Sequence, residues 1–172
     1  MTEQRLTYAD TDIRRILEQV KRIAMVGAST NAMRPSYFAM LYLQNKGYVV
    51  DPVNPRSAGE ALPGRPVHAS PDDLPEPPDM VDVFRKSADV PPIADKAIEI
   101  GAKVLWLQLG VRHDEAAAKA RAAGLDVVMD RCPKIEPRRL FGEIGWLGVN
   151  RGTISGRRGE AMQLKQKKGR LV

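Results

Sequence analysis

Five short apolar runs, separated by helical or turn-rich stretches, constrain this 172-residue chain more than any other feature. Residues 23–26, 48–53, 80–84, 104–107 and 125–129 lack the strict alternation of a half-solvated strand, so each is expected to be buried on both faces. Ile13, Ile16, Leu17 and Val20 fall at helical spacing behind a cap at Thr11-Asp12. Further helices are expected from Pro35 to Asn45, Val90 to Ile100 and Asp114 to Ala123, stopped by Gly47, Gly101 and Gly124. Buried strands alternating with helices require crossovers on both sides of a parallel sheet. The expected fold is therefore α/β, a Rossmann-like three-layer sandwich around a mostly parallel five-stranded sheet. The Pro- and Gly-rich stretch from Arg56 to Pro78 is expected to be irregular, with at most one short strand or helix.

The length fits one domain. Its expected organisation is an N-terminal helical segment (1–22) packed on a domain spanning 23–150, followed by a basic tail (151–172). No run approaches the ~18 apolar residues of a membrane span. Met1 to Asp12 is polar and mixed in charge, so a cytoplasmic protein with no membrane partner is expected. Cys132 is the single cysteine and is accompanied only by His68 and His113, which excludes an internal disulfide and argues against a Cys/His zinc site. The net charge of +6 resides in the tail, where Arg151, Arg157, Arg158, Lys165, Lys167, Lys168 and Arg170 stand against Glu160. That tail carries no aromatic residue for base stacking, so nucleic-acid binding is not expected. A segment from Glu143 to Gly152, with Trp146 and Leu147, is expected to dock on the body or on a second subunit, leaving a homodimer or another protein partner open.

Ligands of doubly wound sheets bind outside the carboxyl ends of the strands, where strand order reverses. The loops to inspect begin at Gly27, Val53, Phe84, Leu107 and Asp130. In the first, Gly27-Ala28-Ser29 leads to Arg34-Pro35-Ser36 at a helix start, where unpaired N–H groups attract phosphate. A tight strand-to-helix turn is the lesser reading of Gly27, and Arg34 is equally readable as a surface charge. The loop lacks the G-x-G-x-x-G spacing of dinucleotide enzymes. The second loop, Val53-Asn54-Pro55-Arg56, lacks a ribose-binding acid, because Asp51 falls inside the expected strand. It suits a ligand with a phosphorylated ribose, or a plain Asn-Pro turn. The later loops offer Phe84-Arg85 and Leu107-Gln108. No catalytic triad or carboxylate pair stands out; Asp130, Glu136 and Glu143 have no partner at fixed spacing, and His113 reads as a helix cap. Cys132 sits either in the core or at the ligand mouth, where Arg131 would lower its pKa.

In order and spacing, Val26-Gly27-Ala28-Ser29, Arg34-Pro35-Ser36, Pro52-Val53-Asn54-Pro55, Val81-Asp82-Val83-Phe84-Arg85, Trp106-Leu107-Gln108 with Gly110, and Asp130-Arg131-Cys132 carry a resemblance. The chain resembles the stand-alone bacterial CoA-binding domain proteins, which are similar to the N-terminal domain of the succinyl-CoA synthetase alpha subunit. The match runs roughly from Ile13 to Gly152. The resemblance implies a coenzyme A site with Gly27, Ala28, Ser29 and Arg34 at phosphate. It puts Val53 to Arg56 near the adenosine end, Phe84 and Arg85 beside the nucleotide, and Leu107 and Gln108 at the end of the fourth strand. CoA carries roughly −4, against which the loops offer Arg34, Arg56, Arg85 and Arg131. Its thiol end would approach Cys132, where a mixed disulfide is a further expectation. The synthetase's phosphorylated histidine lies in another domain, and neither His68 nor His113 matches it. The expected function is non-catalytic binding of coenzyme A or acyl-CoA. An NAD-dependent oxidoreductase, or the CoA-binding half of a two-chain acyl-CoA synthetase, is the alternative.

Overall fold

The computed structural model of the protein describes residues 6–140. Its elements run α1 (Asp10–Gln19), β1 (Arg22–Val26), α2 (Pro35–Asn45), β2 (Val49–Val53), β3 (Ala61–Leu62), β4 (Arg65–Pro66), β5 (Met80–Val83), α3 (Val90–Glu99), β6 (Val104–Leu107), α4 (Asp114–Ala122), β7 (Asp126–Val128) and α5 (Ile135–Leu140). The main sheet has the order β2-β1-β5-β6-β7, and every pairing in it is parallel. This is the expected Rossmann-like α/β sandwich. The order reverses at β1, which has β2 on one side and β5 on the other, so the loops after β1, β2 and β5 converge.

Burial on both faces explains the continuous apolar runs. Ile23, Met25, Met80, Val104, Trp106 and Val128 pack with α1 and α2 on one side. Ala24, Val81, Val83, Leu105, Leu107 and Val127 pack with α3 and α4 on the other. In α2 the buried positions Ser36, Ala39, Met40 and Leu43 follow helical spacing, leaving Phe38 exposed. Gly47, Gly101 and Gly124 follow their helices with positive φ, as left-handed stops.

Three expectations change. Helix α1 begins at Asp10 and is preceded by an extended Ala9 with no side-chain cap, so Thr11-Asp12 lies inside its first turn. Asp10 instead meets Arg139 at 2.7 Å, an ion pair that fixes the helix start against α5. The stretch between β2 and β5 holds the antiparallel hairpin β3–β4, more structure than its proline content foretells. Leu62 and Val67 anchor it in the core, and His68 bridges to Val53. Helix α5 has no counterpart in the sequence reading. It begins after Pro133 and admits Pro137 in its first turn, where the lost N–H has no intrahelical partner anyway. No helix among the described residues is long and apolar enough to cross a membrane. The basic tail and the Glu143–Gly152 segment lie outside the described residues.

Asp51 is fully buried in β2 and is held by Arg22 of β1 at 2.6 Å and Arg65 of β4 at 2.7 Å. It thereby ties the hairpin to the sheet. Removing one partner leaves the others unpaired at reduced solvation. Asp51→Ala is expected to cost about 3 kcal/mol, read as a lower midpoint in urea unfolding.

Candidate functional site

A cavity of about 900 Å³ opens at the carboxyl edge of the sheet, beside the strand-order reversal. Its first wall is the turn from β1 into α2. Gly27 has φ +87°, and a Cβ there would sit 2.6 Å from the Phe84 carbonyl oxygen and 2.8 Å from Arg85 Cδ. Only glycine lets the end of β1 pass so close under the end of β5. The loop is then fixed by its own polar groups. The Ser29 N–H donates to Ser36 Oγ (3.1 Å), Asn31 N–H to Ser29 Oγ (3.2 Å) and Met33 N–H to Asn31 Oδ1 (2.9 Å). Pro35 opens α2, whose remaining first-turn N–H groups and dipole direct positive potential toward the cavity.

Asn54 joins this loop to the one after β2. Its Nδ2 donates to the Ala28 carbonyl (2.8 Å) and its Oδ1 accepts from the Arg56 N–H (3.1 Å). Arg34, Arg56, Arg85 and Lys134 line the cavity, and among the described residues no carboxylate does. Arg85 is partly neutralised by Asp89 at 3.0 Å. Arg34 and Arg56 make no side-chain hydrogen bond or ion pair among the described residues. Met33, Phe38 and Leu109, the exposed large hydrophobic residues, all lie on the rim of this same cavity. The combination is a cationic floor with an apolar lip.

Gln108 lines the cavity, and the buried Asp82 lies behind it. Gln108 donates from Nε2 to Asp82 Oδ1 at 2.7 Å. Asp82 is fully enclosed, and burial pushes its carboxyl up to about 7 although the Gln108 bond opposes the shift. Cys132 also lines the wall. Burial, reinforced by the Asp82 charge, pushes its thiol up to about 11. That reverses the expected lowering by Arg131. The Arg131 guanidinium faces away, donating to the Leu6 carbonyl (3.2 Å) and lying 5.7 Å from the Tyr8 ring centre.

The Asp130-Arg131-Cys132 stretch ties the end of β6 down through one side chain and one carbonyl. Asp130, at φ 54°, accepts the Gly110 N–H on its carboxylate Oδ1 at 2.7 Å, and the Arg131 carbonyl accepts from Trp106 Nε1 at 2.8 Å. These bonds hold the Leu109–Gly110 rim in place. Asp130 and Glu136 thus have partners that spacing did not reveal; Glu136 binds Arg139 at 2.7 Å. His113 caps α4, its Nδ1 accepting the Ala116 N–H.

Of the residues singled out in the sequence, Gly27, Ser29, Arg34, Pro35, Ser36, Asn54, Arg56, Phe84, Arg85, Gln108 and Cys132 meet at the cavity. Ala28, Val53 and Leu107 are buried behind it, Pro55 starts a short 3-10 turn between Asn54 and Arg56, and Arg131 is turned aside. Lys134 and Phe38 were missed. Their side chains meet at the cavity, Lys134 Nζ lying 5.8 Å from the Phe38 ring centre. Among the described residues no cluster of His, Cys, Asp and Glu is fit to hold a metal ion.

A cationic cavity at the switch point of a parallel sheet defines the class, a Rossmann-like α/β domain with its open site at the carboxyl edge. The model of the CoA binding domain family matches residues 21–138, and the chain belongs to that family. It is 38% identical over 124 residues to an uncharacterized protein of Bacillus subtilis, YneT, covering 72% of this chain and 90% of that one. A hypothetical protein from Pyrococcus horikoshii shares 42% identity and superposes with a TM-score of 0.75 over 83% of this chain and all of that one. A Thermus thermophilus structure, cell-free ID.343, shares 40% identity at a TM-score of 0.74, over 78% of this chain and all of that one.

Gly27→Ala is expected to cost at least about 2 kcal/mol, from the left-handed backbone and the clash with Phe84, measured by denaturant unfolding. The proton on Asp82 has a separate signature. Its folded value of about 7 lies above the ordinary 3.8, so the stability it contributes is complete below about pH 4 and is lost as pH rises through 7. Wild type should fall behind Asp82→Asn by up to about 4 kcal/mol between pH 4 and pH 8. Urea unfolding of both proteins at successive pH values measures that gap.

Proposed function

We propose that this chain binds coenzyme A or acyl-CoA in the carboxyl-edge cavity and performs no chemistry on it. The observation that carries the reading is the lining of that cavity by the described residues, which supply four cations, no carboxylate and an apolar lip. CoA is a polyanion of roughly −4 joined to a long, weakly polar arm. The turn before α2 suits the diphosphate, and Arg34 and Arg56 are uncommitted cations able to meet phosphate in a bidentate manner. Membership of the CoA binding domain family supports the same ligand.

An NAD-dependent oxidoreductase fits poorly. The acid on β2, Asp51, is enclosed by Arg22 and Arg65 and is not free to hold a ribose hydroxyl, while the strand ends in Asn54 and Arg56. Nor do the described residues of the cavity wall include a nucleophile–base pair. Cys132 is held as a thiol, and His113 is occupied as a helix cap.

Calorimetric titration of reduced protein with CoA, acetyl-CoA, NAD and ATP at one salt concentration tests the reading. Binding of CoA with a Kd near micromolar, about −8 kcal/mol, and weak binding of NAD is the expected result; preferential NAD binding overturns it. Arg34→Ala and Arg56→Ala should each weaken CoA about tenfold or more, the loss of one charge-assisted hydrogen bond. The variant whose penalty vanishes with dephospho-CoA identifies the side chain that holds the 3′-phosphate. Unchanged affinity in both variants removes these arginines from the site.

A further inference from the structure

Asp82 and Gln108 form a buried polar pair for which simple phosphate binding has no use. Asp82 lies on β5 in register with Met25 of β1 and Trp106 of β6, both apolar neighbours. Its Oδ1 accepts the Gln108 amide, and its Oδ2, fully enclosed, has no partner among the described residues. The titratable group that feels its charge is the Cys132 thiol, from the segment after β7, and no lysine, arginine or histidine among the described residues balances it. A lone enclosed carboxyl is costly to retain, since an apolar residue would pack there without penalty.

What it does to Gln108 is specific. A carboxylate only accepts, so it pairs with the NH₂ end of the amide and never with the oxygen end. Gln108 Nε2 is thereby drawn inward. Oε1 has no hydrogen bond among the described residues and belongs to a side chain that lines the cavity. We propose that Asp82 is a positioning residue that locks Gln108 with its amide oxygen toward the cavity, making this part of the wall an acceptor for a hydrogen-bond donor on the ligand. The proposal rests on the CoA reading for the identity of that donor, which belongs either to the pantetheine arm or to the adenosine end. A protonated Asp82 is able to donate an O–H to Oε1 instead, which releases the lock.

The lock has a readout that needs no ligand. In apo protein labelled with ¹⁵N glutamine, the Gln108 side-chain NH₂ resonance, assigned by its loss in Gln108→Leu, should shift with pH about a midpoint near neutrality. It should be independent of pH in Asp82→Asn. A resonance that does not titrate in wild type, or titrates equally in Asp82→Asn, overturns the proposal. In CoA titrations, Asp82→Leu should weaken binding about tenfold and weaken it no further in a Gln108→Leu background. Wild-type affinity in Asp82→Leu, or losses that add, also overturns it. Adenosine 3′,5′-bisphosphate, which lacks the pantetheine arm, locates the donor. Sensitivity of its affinity to Asp82→Leu assigns the donor to the adenosine end; insensitivity, with CoA still affected, assigns it to the pantetheine arm. If wild type binds no CoA, the CoA reading falls, and the resonance titration alone decides whether Asp82 locks Gln108.

Discussion

The close passage of Gly27 beneath the Phe84 carbonyl is the contact on which the site depends. A parallel sheet whose order reverses at β1 brings two neighbouring strands to the same edge. Their following loops must leave in different directions without colliding. With a Cβ at Gly27 that separation fails by several tenths of an ångström against backbone, which has nowhere to yield. With glycine, the chain turns into α2 while β5 runs on to Arg85. Asn54 then ties the β1 and β2 loops together. Backbone geometry sets the α2 end of the cavity before any charged side chain is considered.

Two strands carry an acid in an otherwise apolar interior, and the protein treats them in opposite ways. Asp51 is matched by Arg22 and Arg65 and serves as a structural tie. Asp82 receives a single amide hydrogen bond and holds its proton up to about 7. The first solution spends two cations to join three strands. The second leaves a carboxyl with no cation beside it among the described residues, directly behind the Gln108 side chain that lines the cavity, and perturbed groups of this kind are characteristic of binding sites.

The five strands were legible because burial on both faces writes a continuous apolar run that solvent-facing strands lack. The loops at their carboxyl ends were legible for the same reason, since the topology dictates which ends converge. Helix α5 was hidden by Pro133 and Pro137, which read as breakers unless one knows that a first helical turn accepts proline. The hairpin was hidden by short strands whose anchors, Leu62 and Val67, are isolated apolar residues among turn formers. Phe38 reads as one more apolar position of α2, and only the helix's rotation on the sheet turns it to the cavity. Arg131 shows the converse error. A cation beside a binding edge looked like a ligand group, but its direction is set by Leu6 and Tyr8, far away in sequence. Asp82 had a signal, an acid within a buried run, but its pairing with Gln108 is a tertiary fact.

The β2 edge has a bearing on how the molecule behaves among copies of itself. An open strand edge is a template for cross-β stacking. Here Pro52 presents no N–H, its carbonyl is taken by the His68 N–H at 2.9 Å, and the Asn54 N–H is used by the His68 carbonyl at 2.9 Å. The end of the strand nearest the cavity is therefore spent on intramolecular bonds. Extension of the sheet by a neighbouring chain is blocked there, so access to the cavity need not compete with self-association through the same stretch of backbone.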